Sequence, residues 1–225
     1  MKTKFIALAA MMAMSISASA QFTNSSSTTS TKTVSDGWGT IFVEYNPLTA
    51  KTDVKGADDE SISAFSAGYV QAFPISKGTP LYLEAGAALQ YAYKNDWADV
   101  TDVNFSMVSV KVPVNLTYRF DLPNSTISIL PYGGISLRGN ITGSFTDKRG
   151  KKDKTYNVFD KKDVEDGNLS SDGKAWSRFQ FGWQIGLKAM FNDSFMVGLG
   201  YGSDMSEISK KVTVSTTTIT LGYCF

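Results

Sequence analysis

From Gly37 onward, the chain consists largely of long runs in which apolar and polar residues alternate. In residues 108–120, one parity carries only valine, leucine and aromatic side chains, whereas the other carries polar residues and one proline. Residues 179–191 repeat this pattern. Successive side chains on a β-strand point to opposite faces, so each run predicts a strand with one apolar face. A tilted membrane-spanning strand needs roughly nine to eleven residues, and these runs are long enough.

The alternation and the turn signals between the runs predict eight strands, and we find no helical period after the first 20 residues. The predicted strands are 37–47, 61–73, 81–93, 104–120, 127–141, 175–191, 195–205 and 212–225. Long and short connections alternate along the chain, which is typical of outer-membrane barrels. The long ones are Leu48–Glu60, Lys94–Val103, Thr142–Lys174 and Ser206–Lys211, and the short ones are Pro74–Pro80, Asp121–Thr126 and Asn192–Ser194.

The two faces of the predicted strands differ in a way that separates a membrane barrel from a soluble sandwich or lipocalin. The polar face is mostly glycine, alanine, serine, threonine and glutamine, with isolated charges of both signs, which suits a narrow barrel interior better than a solvated surface. Aromatic residues on the apolar face collect near strand ends, as in the two girdles of a membrane barrel. These residues are Tyr91, Tyr93, Tyr118, Phe120, Trp176, Phe179, Phe191, Phe195, Tyr201 and Tyr223. We therefore predict an all-β fold, an eight-stranded antiparallel up-and-down transmembrane β-barrel over residues 37–225.

The N-terminal segment predicts export. Residues 1–20 combine Lys2 and Lys4, an apolar run and a small-x-small site, so we expect a signal peptide cleaved after Ala20. Residues 21–36 are rich in serine and threonine and predict a flexible arm. No later stretch holds eighteen consecutive apolar residues, which excludes a helical membrane protein. With 22 basic and 21 acidic residues, the overall charge favours no nucleic-acid partner, and Cys224, the sole cysteine, cannot form an intramolecular disulfide.

The last residues carry a family resemblance. Ile219, Leu221, Tyr223 and Phe225 share one strand face and resemble the C-terminal assembly signal of outer-membrane proteins. From Gly37 onward, and most recognisably in residues 109–120, the chain resembles the outer-membrane β-barrel domain family, often labelled porin-like. The resemblance implies a small barrel similar to OmpX or the OmpA transmembrane domain, in the cell envelope of a Gram-negative bacterium. It also implies contacts with outer-membrane lipid and with the outer-membrane assembly machinery.

Catalytic chemistry is not expected, because the sequence contains no histidine to act as a general base or to ligate zinc. We expect no enzyme activity, no metal and no cofactor. The most charged segment lies in the 142–174 loop, where Lys and Arg at 148–152 precede Asp163, Glu165 and Asp166. We interpret it as a solvated extracellular loop; a sharper alternative is that its basic residues bind lipopolysaccharide phosphates or another extracellular ligand.

Six isolated charges on the inward parity predict a lumen charge network. They are Glu44, Glu84, Lys111, Arg119, Arg138 and Lys188. Because buried charges need partners, we expect Glu84 to pair with Arg119, with Lys188 nearby, and Glu44 to pair with Arg138 or Arg178. About eight strands leave an interior just wide enough to be filled by side chains. The expected protein is a monomer with a structural or surface-interaction role, and the alternative is a narrow porin-like channel for ions or small solutes.

Overall fold

The computed structural model describes residues 36–53, 58–76, 78–170 and 172–225. The expected signal peptide and all but the last residue of the expected arm lie outside the described residues. The secondary structure comprises eleven strands, a 3-10 turn at Trp97–Asp99 and one short α-helix among these residues. The strands are β1 (Trp38–Tyr45), β2 (Leu48–Thr52), β3 (Glu60–Pro74), β4 (Leu81–Lys94), β5 (Val103–Tyr118), β6 (Phe120–Asp121), β7 (Ile127–Asp147), β8 (Lys154–Asn157), β9 (Phe179–Phe191), β10 (Phe195–Asp204) and β11 (Val212–Cys224), and the helix is α1 (Lys161–Gly167).

The strands close into an antiparallel ring. The order is β1, β3, β4, β5, β7, β9, β10 and β11, and β1 pairs back onto β11 from Thr40 with Cys224 to Tyr45 with Ile219. β2 continues β1 after Pro47 and pairs with the same two neighbours, and β6 continues β5 after Arg119. Pro47 has no backbone N–H to donate, which explains the break between β1 and β2. Eight barrel strands therefore form a closed up-and-down barrel, and the predicted fold class is confirmed.

The two ends of the barrel differ in the length of their connections. The turns after β3, β6 and β9 are short, and we call this side the short-turn end. Asn192 and Asp193 both have positive φ in the turn from β9 to β10, as a tight hairpin turn requires. The connections after β2, β4, β7 and β10 lie at the opposite, long-loop end. Three predicted loop boundaries are wrong there, because Leu48–Thr52 forms β2, β7 continues as far as Asp147, and β9 begins at Phe179 instead of residue 175.

The outer wall of the barrel is apolar. Ile185 and Leu199 on it are 55% and 64% exposed, values that a water-soluble protein rarely gives to such residues along whole strands. Eight of the ten aromatic residues expected on this wall are exposed and Phe191 is partly exposed. Trp176 is the exception: it packs against buried residues inside the long-loop end, so its predicted place on the outer wall is wrong.

A hydrophobic cluster fills the long-loop end of the barrel. Residues between β8 and β9 fold over it, and we call residues 158–170 and 172–176 the cap. Within the cap, α1 begins after Asp160, whose side chain accepts hydrogen bonds from the N–H groups of Lys162 and Asp163. The expectation that no helix occurs is wrong here, because seven residues are too few to show a helical period. Among the described residues, no helix is long and apolar enough to cross a membrane.

Candidate functional site in the barrel lumen

Charged side chains gather at mid-height in the lumen. Three acidic and three basic residues line the same chamber, so their formal charges cancel. We call this set the lumen charge layer, and it consists of Glu44, Glu84, Lys111, Arg138, Lys188 and Asp204. Five of the six belong to the network predicted from the sequence, and Asp204 replaces Arg119.

Glu84 and Lys188 form an ion pair that spans the lumen from β4 to β9. Asn115 Nδ2 donates to Glu84 Oε1 over 3.3 Å, and Gln184 Nε2 donates to Asn115 Oδ1 over 2.6 Å. The Lys188 ammonium also lies 4.8 Å from the centre of the Tyr132 ring. Both charged groups are almost fully buried, so each depends on the other and on these polar neighbours for the solvation that water would otherwise supply.

The predicted pairing of Glu84 with Arg119 is wrong. Glu84 lies opposite Asn115 in the β4–β5 register, and Arg119 lies four residues further toward the short-turn end. That offset is about 13 Å along a strand, too far for an ion pair. Arg119 instead bonds Asp121 Oδ1 at 2.8 Å and Asp193 Oδ1 at 2.6 Å, linking the β5–β6 junction to the turn between β9 and β10.

Glu44 is held by four partners, of which Asn46 directly follows its own strand and the other three lie on neighbouring and facing strands. Lys111 Nζ lies 3.4 Å from its Oε2, and Asn46 Nδ2 and Ser66 Oγ each donate to the same oxygen over 3.2 Å. Thr220 Oγ1 donates to Oε1 over 3.2 Å. Small polar residues on the inward parity therefore solvate this carboxylate, and the lysine supplies the compensating charge.

The predicted pairing of Glu44 with Arg138 or Arg178 is also wrong. Arg138 Nη2 donates to both carboxylate oxygens of Asp204, at 2.7 and 2.5 Å. Asp204 was missed from the sequence, although it continues the inward parity of Gly198, Gly200 and Gly202 on β10. Arg178 lies at the long-loop end, where it donates to the Ile141 carbonyl over 3.0 Å and stacks on the Phe159 ring.

A layer of bulky side chains narrows the lumen on each side of the lumen charge layer. Toward the short-turn end this layer contains buried Trp38, Tyr82 and Met190, and the Trp38 and Tyr82 ring centres lie 4.6 Å apart. Buried Thr117 and Ser128 lie opposite Tyr82 and Met190 in the strand register, so this layer also carries hydroxyl groups. Toward the long-loop end, Phe105 and Phe145 pack together at 5.0 Å between ring centres, beneath the cap. The chamber between the two layers has a volume of about 40 Å³.

The cap seals the long-loop end through aromatic contacts. Trp176 lies 5.9 Å from Phe105 and 5.7 Å from Phe145 between ring centres, and Trp97 packs edge-on against Phe145 at 4.9 Å. Trp176 Nε1 donates to the Leu169 carbonyl over 3.0 Å, which ties the end of the cap to its middle. The cap is therefore a folded cover, which the interpretation of the whole connection as a solvated loop did not predict, whereas the charged residues 148–154 are exposed as that interpretation expects.

Residues 148–154, which join β7 to β8, form a basic hairpin tip. Every residue in it is exposed, and five are basic against one acidic residue. The basic ones are Lys148, Arg149, Lys151, Lys152 and Lys154. Elsewhere in the same connection, a hydrogen bond from Ser170 Oγ, together with the nearby Lys174, lowers the pKa of Asp172, so that carboxylate stays charged and balances its lysine neighbours. In the described part of the chain, no group of three or more acidic or cysteine side chains could hold a metal ion.

The four residues of the expected C-terminal signal all lie exposed on the outer wall of β11 and just beyond it. They are Ile219, Leu221, Tyr223 and Phe225. The backbones of Phe225 and Gly39 exchange two hydrogen bonds, of 2.8 and 2.9 Å, at the seam where β11 meets β1. Tyr223 packs edge-on against Phe195 at 5.7 Å.

Comparison with known proteins places this architecture among bacterial barrels. The model of the family described as "Outer membrane protein beta-barrel domain" matches residues 6–225. Among solved structures, Ail of Yersinia pestis is 14% identical, with 85% of this chain and 100% of that one covered and a TM-score of 0.48. Neisserial surface protein A is also 14% identical, with 83% and 97% covered and a TM-score of 0.46. The outer membrane enzyme PagL is 12% identical, with 80% and 97% covered and a TM-score of 0.43. No curated protein matches the sequence.

Proposed function

Because this chain belongs to the outer membrane protein β-barrel domain family, and so resides in the outer membrane, we propose that it has a structural or surface-interaction role there, with a lumen sealed by its own side chains. In this proposal, residues 1–20 are removed after Ala20 and residues 21–36 form a periplasmic arm. The short-turn end faces the periplasm and the cap faces outward. The protein acts as a monomer without catalytic activity, which the absence of histidine supports.

The observation that carries the proposal is the layered lumen. An ion must shed much of its hydration to enter an apolar constriction, and the cluster beneath the cap is one, while Trp38, Tyr82 and Met190 narrow the lumen on the other side of the lumen charge layer. The six charged groups of the lumen charge layer form three ion pairs with one another, so none is left unpaired to bind a passing ion. Open pores use sixteen or more strands, whereas this ring has eight. These features favour a plugged barrel over the alternative of a narrow channel.

Planar bilayer recording tests this proposal. Purified protein, refolded and inserted into bilayers, should give no steady conductance steps, while a sixteen-stranded porin in the same membranes gives them. Insertion is verified independently by protease protection of the membrane-embedded strands. Steady steps from verified wild-type barrels would establish the channel and overturn the sealed lumen.

The surface-interaction part of the proposal rests on the basic hairpin tip. Five exposed basic residues within seven positions, at the tip of the β7–β8 hairpin, match the phosphates of lipopolysaccharide on neighbouring molecules. Two carboxylates lie in or beside the tip: Asp153 within it, and Asp147, which pairs with Arg149 at 2.7 Å. Most of the five basic groups there are therefore not neutralised.

Binding to vesicles tests the hairpin tip. Replacing Lys151 and Lys152 with glutamine should weaken binding of barrel-containing nanodiscs to lipopolysaccharide vesicles several-fold, and the difference should shrink at high salt. The matched control is Lys161→Gln with Lys162→Gln on α1, where acidic neighbours already balance the lysines. Equal weakening in the two double variants would remove the hairpin tip as a specific contact.

A further inference from the structure

The apolar outer wall is much lower on one side of the barrel than on the other. On β9, apolar residues face outward along the whole strand, from Phe191 to Phe179, and on β4 they do so from Leu81 to Tyr93. On β10 the outward apolar residues extend only from Phe195 to Tyr201, and on β11 and just beyond it only from Phe225 to Ile219. A strand tilted by roughly 45° rises about 2.4 Å per residue, so the wall is about 28 Å high on β9 and about 14 Å high on β10.

The missing height lies at the long-loop end. Near the short-turn end, Phe195 on β10 pairs with Phe191 on β9, so the two strands begin the wall together. At the other end of the β10 wall, Tyr201 pairs with Ile185. Beyond this row β9 continues with three outward aromatic residues, whereas the next outward residue of β10 is Ser203. We call the outer faces of β10, β11 and β1 with β2 the short side of the barrel.

Hydroxyl side chains occupy the outward positions above this low wall. Thr217 on β11 is exposed, and Ser203 lies on the outward parity of β10. The wall of β1 ends at Tyr45, and Thr49 and the exposed Lys51 follow on the outward parity of β2. A hydrocarbon region about 25 Å thick would cover the three hydroxyl groups if it kept its full thickness on the short side. Polar groups in hydrocarbon cost free energy, so these hydroxyls indicate that a polar partner lies against them.

We infer that the short side binds the phosphorylated headgroups of lipopolysaccharide in the outer leaflet, which lie closer to the bilayer midplane here than beside β4 and β9. Serine and threonine hydroxyls both donate and accept hydrogen bonds and so suit sugar and phosphate oxygens, and the Lys51 ammonium supplies charge opposite to that of a phosphate. A bilayer accommodates a short apolar surface by thinning beside it. The inference rests on the proposed function in one respect, the orientation with the cap facing outward.

Spin labels on the refolded protein measure this depth. In a Cys224→Ser background, Thr217→Cys and Phe181→Cys each carry one nitroxide in nanodiscs that contain lipopolysaccharide. Phe181 lies four positions nearer the long-loop end, because Thr217 and Ile185 both pair with Tyr201. A bilayer of uniform thickness therefore places the label at 217 deeper. We expect the reverse, a collision rate with a water-soluble nickel complex, relative to that with oxygen, that is several-fold higher at 217 than at 181.

Filling the short side should remove the effect. Thr49→Leu with Ser203→Leu extends the apolar wall on the strands beside β11, and the label at 217 should then show the accessibility of the hydrocarbon region. The matched control is Ser106→Leu with Thr142→Leu, which makes the same exchange just above the taller wall of β5 and β7 and should leave the label unchanged. An unchanged label in the first double variant would overturn the low wall as the cause.

Photo-crosslinking in cells identifies what lies against the short side. Thr217→p-benzoylphenylalanine should give an adduct with lipopolysaccharide. An adduct with another protein, or a product of twice the mass, would overturn the inference in favour of a protein partner or a second copy.

Two further results would overturn the inference even where the leucine variants do not refold. One is a label at 217 as shielded from nickel as the label at 181. The other is a clear difference in depth between labels at Phe195→Cys and Leu81→Cys, at the short-turn end of opposite walls, because it would show a tilted barrel instead of lowered headgroups. A phospholipid adduct, with the contrast between 217 and 181 retained, would show that the long-loop end faces the periplasm. That result refutes the orientation in the proposed function, and the lipopolysaccharide assignment with it, and leaves the low wall standing.

Discussion

Lys188 and Glu84 meet across the lumen although their strands, β9 and β4, stand three places apart in the ring of eight. The pair therefore connects facing walls of the barrel, whereas the strand ladder connects only neighbours. Such a cross-wall contact forms only when the ring has closed with the correct register. It follows that this pair reports on the finished barrel.

Removing one member of this pair should destabilise the barrel. Glu84→Gln leaves the Lys188 charge buried without its partner, and we expect a loss of about 3–5 kcal/mol in the free energy of unfolding. Urea unfolding in lipid vesicles measures it. The control is Glu165→Gln, whose partner Lys161 is exposed on α1, with an expected change of about 0.5 kcal/mol or less. Equal effects from the two variants would place Glu84 outside the buried layer.

A double-mutant cycle should distinguish the observed pairing from the one we first expected. Glu84→Gln and Lys188→Met remove the same interaction, so their combined cost should be smaller than the sum of the single costs. Glu84→Gln and Arg119→Gln act on separate networks, and their costs should add to within about 0.5 kcal/mol. Strong coupling in the second cycle instead of the first would favour the Glu84–Arg119 pair.

Loss of Trp176 should loosen the cap without opening the barrel. Trp176→Ala removes two aromatic contacts and the bond to Leu169, and we expect a cost of about 2–3 kcal/mol for this half-buried side chain. Limited trypsin digestion should then cleave faster at Lys161 and Lys162. Trp183→Ala, on the outer wall, is the control and should leave cleavage unchanged. Wild-type cleavage rates in Trp176→Ala would show that the cap does not depend on this residue.

Phe225 should matter more for assembly than for stability. We expect Phe225→Ala to lower the yield of protein in the outer membrane several-fold, because the residue belongs to the expected assembly signal. The two backbone bonds to Gly39 persist in the variant, so refolded protein should unfold at nearly the wild-type urea concentration. Phe73→Ala, another exposed aromatic residue near the short-turn end, serves as the control. Equal yields for both variants would remove the special role of Phe225.

The closed ring should also resist detergent. β1 and β11 pair over six residue positions, so the ring presents no open edge from which SDS could begin to separate the strands. Unboiled protein should therefore migrate differently from boiled protein on a gel. Identical mobility before and after boiling would contradict closure under these conditions.

The sequence was sufficient for the strands and their faces, and insufficient for the pairings inside. Alternation has a period of two residues, so residues 108–120 reveal which side chains point inward without any knowledge of their neighbours. Ion pairing depends in addition on the stagger between strands, which a single sequence does not contain. Arg119 was therefore expected at the depth of Glu84, although the residue opposite Glu84 on β5 is Asn115, four positions before Arg119. The helix of the cap was missed for a related reason. The side chain of Asp160, at the N-terminus of α1, and tertiary contacts hold this helix, and it has no amphipathic pattern that a sequence would show.

In the proposed orientation, the apolar layer of Phe105 and Phe145 beneath the cap lies at the level where the barrel would leave the lipid. On β5, Ser109 and Lys111 point inward beside outward-facing valines, whereas two residues higher Met107 and Phe105 point inward beside outward-facing Ser106. β3 reverses in the same way between inward Ser66 and inward Ala64. Within two residues, each of these strands thus changes from an apolar outer face with a polar inner face to a polar outer face with an apolar inner face. In the proposed orientation this level is the hydrocarbon boundary of the outer leaflet, and the aromatic residues on the wall and the change in the interior would both mark it.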